Sequence, residues 1–194
     1  MELTYLGHSS FKMKFKNGMV LIADPFSEDF PKQKADLVTM SCGDKEHNFV
    51  AGISGPVKRE DVFVVSEEGE YEVGGVEVIT IKEGKNNLIM VIRQNGISTC
   101  HLGNLSTGLS EKEIDRIGSV DILLVPVGVK LGDLISNMSP SIVVPMKYTE
   151  KELAEFLDSS GLEVMQEESG KVKIDVNTLP ENTKCLVLKS HLNQ

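Results

Sequence analysis

The chain has no tryptophan, and aromatic residues fill only 5% of its 194 positions. Its core must therefore come mostly from Val, Ile, Leu and Met. Cysteine is scarce as well. Cys42, Cys100 and Cys185 are an odd count at wide spacing, which excludes a disulfide framework and suits a reducing cytoplasm. Cys100 and Cys185 sit in apolar runs and read as small buried hydrophobes. No apolar run approaches the roughly 20 residues of a membrane-spanning helix. Residues 1–6 show neither a basic leader nor an apolar segment, so no secretory signal is expected. Positive charge is in deficit. Against 29 Asp and Glu stand 20 Lys and Arg, a net charge of −9. Such a chain does not advertise nucleic acid or an anionic membrane as a partner. A cytoplasmic location is expected.

What remains suits one domain over residues 1–194, long enough to bury a sizeable core. No repeat, low-complexity segment or linker interrupts it. Residues 2–6 alternate, and 11–16 alternate strictly apolar and basic, so both read as strands. Asn17-Gly18 is a strong hairpin signal, and 19–23 return. Residues 35–40 read as a buried strand. Residues 49–61 hold turns and at most a short helix, and 62–65 form a short buried strand. The acidic run 67–72 reads as a solvated turn. Strands follow at 76–81, 88–92 and 97–102, the last two joined by Asn95-Gly96. The pattern then changes. Ser110-x-x-Glu113 opens a helix to about Gly118, and Thr149-x-x-Glu152 opens one to Ser159, each a capping box. A short helix is expected over 131–138. Buried strands at 121–125 and 141–145 alternate with these helices, and two more strands at 172–175 and 185–188 close the chain. Antiparallel strands first, then strands alternating with helices, predict an α/β domain of layered sheets.

The stretch with the densest chemistry is residues 41–48, Ser-Cys-Gly-Asp-Lys-Glu-His-Asn. Within six positions it offers a thiol, two carboxylates and an imidazole: Cys42, Asp44, Glu46 and His47. All are metal-binding types. They follow a strand, where loops commonly carry sites. Carboxylates beside Cys42 should raise its pKa, which disfavours a nucleophilic thiolate.

Several segments resemble the metallo-β-lactamase superfamily, in its short branch similar to ascorbate-6-phosphate lactonase and zinc-dependent hydrolases. They are Tyr5-Leu6-Gly7-His8-Ser9-Ser10-Phe11, Asp24-Pro25-Phe26, Ala35-Asp36-Leu37-Val38, Gly69-Glu70-Tyr71-Glu72-Val73, His101-Leu102-Gly103-Asn104-Leu105 and Val144-Pro145-Met146-Lys147-Tyr148. The resemblance covers nearly the whole chain. It implies a four-layer αββα sandwich, here reduced in size, with two zinc ions at one edge between the sheets. In such a site the metals turn a bridging water into hydroxide at neutral pH.

The ligand pattern implied by the resemblance is His-x-His-x-Asp-His, then a later His, an Asp and a final His. This chain departs from it at nearly every position. Cys42, Asp44 and Glu46 stand at the first three, and only His47 matches. The later His should fall near 82–85, where there is none. Asn104 stands for the bridging Asp, and Lys147 for the final His. A neutral amide bridges cations poorly, and an ammonium repels them. The dinuclear centre is therefore expected to be lost, and no cofactor is expected. His8, Asp24 and His101 are expected behind the site as structural groups, and His191 as a solvated residue.

Three readings of function follow. The first is a non-catalytic member that binds a small molecule or a protein. The second is a hydrolase with one zinc or other divalent metal rebuilt on Cys42, Asp44, Glu46 and His47. The third is a structural subunit paired with an active paralogue. The partner classes left open are a small molecule, a protein and a second copy of the chain.

Overall fold

The computed structural model describes residues 1–27, 30–44, 47–56 and 61–190. One sheet has six strands, five of them from residues 2–65. β1 (Glu2–Gly7), β2 (Ser10–Lys14) and β3 (Val20–Ala23) form the expected antiparallel meander. β5 (Leu37–Thr39) and β7 (Phe63–Val65) add to β3 in parallel. Between them the short β4 (Gln33–Lys34) and β6 (Ile53–Ser54) pair as a separate ribbon.

The second sheet has eight strands. β8 (Gly69–Val73), β9 (Val76–Glu83), β10 (Asn87–Gln94) and β11 (Ile97–His101) run antiparallel in sequence order. From there the chain crosses over through helices. α1 (Glu111–Ile117) leads to β12 (Ile122–Pro126), α2 (Leu131–Met138) to β13 (Ile142–Met146), and α3 (Glu150–Ser160) to β14 (Glu163–Glu167). β15 (Lys171–Lys173) crosses to the edge of the first sheet beside β1, and β16 (Lys184–Leu188) inserts between β13 and β14. Parallel strands need such crossovers, and among the described residues the three α-helices all supply them here.

Alternation decides the layers. Leu3, Tyr5, Phe11, Met13 and Leu21 from the first sheet meet Val78, Ile92, Leu124, Val144 and Leu186 from the second. The other face of the second sheet, with Val91, Cys100, Leu123 and Val143, is covered by Ile117, Leu134, Met138 and Phe156 of the three helices. The outer face of the first sheet, at Leu6, Ile22 and Val38, is covered by Phe30, Phe49 and Ile53. There the fourth layer is, among the described residues, loop and a 3-10 turn at Val50–Gly52. The fold is the reduced α/β sandwich expected from the sequence.

The hairpins and both capping boxes form as expected. Ser110 accepts from the Glu113 N–H and Thr149 from the Glu152 N–H. Several elements differ. Residues 62–65, expected as a buried strand, form β7 at the sheet edge, where Phe63 and Val64 are exposed because no further strand covers them. The acidic run 67–72 is not simply a turn, because β8 occupies most of it. Residues 163–167 form an edge strand that no pattern indicated. β8 and β14 are polar edge strands, paired on one side only, so neither shows a clean apolar alternation.

Candidate functional site

The loop after β5 starts from a buried carboxylate. Asp24, fully buried at the end of β3, accepts the Ser41 backbone N–H and the Ser41 hydroxyl, each at 2.6 Å. This fixes where residues 41–47 leave the sheet. Asp24 adopts φ +46°, a left-handed conformation that Asp tolerates better than most residues.

Three of the expected residues converge. His47 Nδ1 lies 2.5 Å from Asp44 Oδ1 and 3.0 Å from Cys42 Sγ. Cys42 Sγ is 3.0 Å from Asp44 Oδ2. The potential ligand atoms of these three residues all lie within 4.8 Å of one another. His47 is fully buried, and its Nε2 finds no hydrogen-bond partner among the described residues. Glu46 lies outside the described residues, as does His191. Burial, followed by the hydrogen bond to Asp44, pushes the Cys42 thiol up to about 12, so at neutral pH it is a thiol and a poor nucleophile.

The groups behind the loop are tied to the backbone. His101, at the end of β11, accepts the Gly103 N–H at Nδ1 (3.0 Å), so its proton sits on Nε2 and is donated to Ser9 O at 2.7 Å. Asp24 Oδ2 stands 3.9 Å from the same Nε2. Burial holds the His101 pKa below its ordinary value, with Asp24 opposing. His8 packs its ring against Phe26 and His47, at centroid distances of 5.7 and 5.2 Å. Its carbonyl accepts both the Tyr5 hydroxyl at 2.8 Å and the Lys147 N–H at 2.9 Å. That carbonyl joins the β1–β2 turn to the end of β13. His8 and Lys147 both take positive φ, 53° and 55°, so the backbone holds unfavourable conformations where the two sheets meet.

Across the edge, Lys147 Nζ donates to Asn104 Oδ1. The two positions that the resemblance assigns to a ligand His and a bridging Asp are thus joined to each other. Asn104 is placed by Asn87, which sequence reasoning missed. Buried at the start of β10, Asn87 accepts the Asn104 N–H at 2.8 Å and donates to Leu102 O at 3.1 Å. In sequence it belongs to a polar turn and carries no motif, so no local signal marks it. The neighbouring hairpin from β9 to β10 is tight, with Asn87 paired to Glu83. A cleft of about 800 Å³ opens beside it, lined by Cys42, Asp44, Glu67, Lys82, Lys85 and Asn87. A second, of about 940 Å³, runs from His8 and Lys147 along Thr149 to Leu188 and Lys189.

The profile of the beta-lactamase superfamily domain matches residues 2–147. No curated protein matches the chain in sequence. Among solved structures, the chain is similar to a candidate Zn-dependent hydrolase of the metallo-β-lactamase superfamily from Thermotoga maritima. Identity is 25% and the TM-score 0.81, over 98% of this chain and 99% of that one. It is also similar in fold to a metallo hydrolase from Ignicoccus hospitalis (16% identity, TM-score 0.60, 90% and 99% covered). A metallo-β-lactamase fold protein from Bacillus subtilis is a further neighbour (11% identity, TM-score 0.65, 97% and 96% covered).

Proposed function

The chain belongs to the metallo-β-lactamase superfamily of metal-dependent hydrolases, and from that premise we propose that it is a member without the two-metal centre, binding a ligand or partner rather than hydrolysing one. One observation carries this reading, the Lys147–Asn104 pair. Two cations need anionic bridging and electron-pair donors. The pair offers an ammonium with no lone pair and a neutral amide whose oxygen already accepts from that ammonium. A dinuclear metal cluster does not fit these residues. Retention of the fold around an altered site is the familiar separation of fold from function. The shared core of the two sheets supports one domain over 1–194. The free cysteines support a cytoplasmic location.

A specific observation favours a second reading. Cys42, Asp44 and His47 already converge, and this is a donor set suited to one divalent ion such as zinc. Those three side chains would hold it, and the ion would acidify a bound water. The two readings separate on metal content. Protein purified without a His-tag or chelator, from cells supplied with zinc, iron and manganese, is expected to carry no stoichiometric metal. One equivalent, lost on His47→Ala, would establish the second reading instead.

A further inference from the structure

We propose that Lys147 and Asn104 form an oxyanion-binding site, which takes the phosphate or carboxylate group of a small molecule lying in the adjoining cleft. The proposal rests on the metal-free reading above and names the ligand chemistry of that site.

The pair presents mostly donors. Asn104 Oδ1 accepts from Lys147 Nζ, which fixes the amide orientation and leaves its NH2 as the outward group. The ammonium has three N–H groups and uses one here. An amide NH2 beside a partly satisfied ammonium suits an acceptor-only ligand, and an oxyanion is the simplest.

Among the described residues the charge of Lys147 has no counterion. The side-chain partner of Lys147 there is a neutral amide. Nearby charged groups are committed elsewhere. Lys189 pairs with Glu168. Glu152 caps α3 through Thr149. Glu167 accepts from Ser169. Glu150 sits in the first turn of α3, where the helix dipole favours it. Asp44 is engaged by His47 and Cys42. An arriving anion would supply the charge that Lys147 lacks.

The backbone is set for the task. The Lys147 N–H is held by His8 O, and the Asn104 N–H by Asn87 Oδ1. Both donors therefore start from fixed points, which lowers the ordering cost of binding. The cleft of about 940 Å³ reached by Lys147 lies within the usual range for small-molecule sites. A metabolite bearing the anionic group fits it better than a bare ion.

The test is titration of 15N-labelled protein with inorganic phosphate and, separately, with acetate, each at constant ionic strength against chloride. Saturable shifts are expected at the Asn104 side-chain NH2 and the Lys147 amide, with a Kd on the order of 1 mM for so small a probe. Lys147→Met should weaken binding at least about tenfold, the value of one lost charge-assisted contact, and Lys147→Arg should retain it. Asn104→Ala, at an exposed side chain, should weaken binding without touching the fold and serves if Lys147→Met does not fold. Response to phosphate alone would assign a phosphoester ligand, and response to both a wider carboxylate and phosphate specificity. Shifts identical to those with chloride, or undiminished binding in both variants, would overturn the proposal. Phosphate binding that disappears on chelation would overturn the metal-free reading as well, so the two failures are distinguishable.

Discussion

Asp24 holds Ser41 at two points, its backbone N–H and its hydroxyl, and it does so from a fully buried position. The loop that carries Cys42, Asp44 and His47 hangs from this contact. Asp24→Ala leaves two buried polar groups without partners, each worth about 1–3 kcal/mol. It also places alanine at a left-handed φ. A loss of about 3 kcal/mol is expected in urea unfolding. Asp24→Asn, which keeps an acceptor and tolerates that conformation, should lose less. Equal losses for the two would contradict the role given to the carboxylate.

Gly103 stands between the two halves of the site. Its φ is +62°, and a Cβ there would meet Asn87 Oδ1 directly, Ser41 Cβ at 2.6 Å and Leu88 O at 2.9 Å. The last contact is backbone and cannot swing away. Gly103→Ala is therefore expected to destabilise by about 2–4 kcal/mol, combining strain with overpacking. It should also shift the NMR signals of Asn87 and Asn104, which share that contact. A neutral Gly103→Ala would mean that the loop is looser than the structure shows.

His101 titrates against the usual expectation. Its pKa is held below the ordinary 6.5 by burial, so the unfolded chain takes up this proton before the native protein does. The contribution to stability is complete above pH 6.5 and declines as pH falls below that value. The imidazole signals of His101 should stay those of the neutral form through that range, with Nε2 protonated. Titration near the ordinary value would contradict the hydrogen bonds assigned to it.

The parts of this fold that were legible in the sequence are those fixed by local chemistry. Asn17-Gly18 and Asn95-Gly96 turn hairpins because Gly tolerates positive φ, as it does here at 90° and 75°. Ser110 and Thr149 open helices because their hydroxyls satisfy an exposed N–H. β8 and β14 were hidden because their side chains face solvent over much of their length. At the site, Cys42, Asp44 and His47 are neighbours in sequence, so their convergence could be anticipated. The Lys147–Asn104 bond spans 43 residues. The sequence placed both residues at altered ligand positions, but only the folded chain shows the two side chains meeting. Asn87 and Ser41 each act through hydrogen bonds formed at long range, and nothing in their local sequence distinguishes them from ordinary turn residues.

The most direct measurement is metal content. Native protein, purified free of tags and chelators from metal-supplemented cells, would be examined by mass spectrometry for zinc, iron and manganese. No stoichiometric metal is expected, and no change in melting temperature on chelation, because no bound ion would stabilise the fold. Two equivalents per chain, lost together with stability on chelation, would contradict it. Lys147 would then have to turn away from the site that it occupies here.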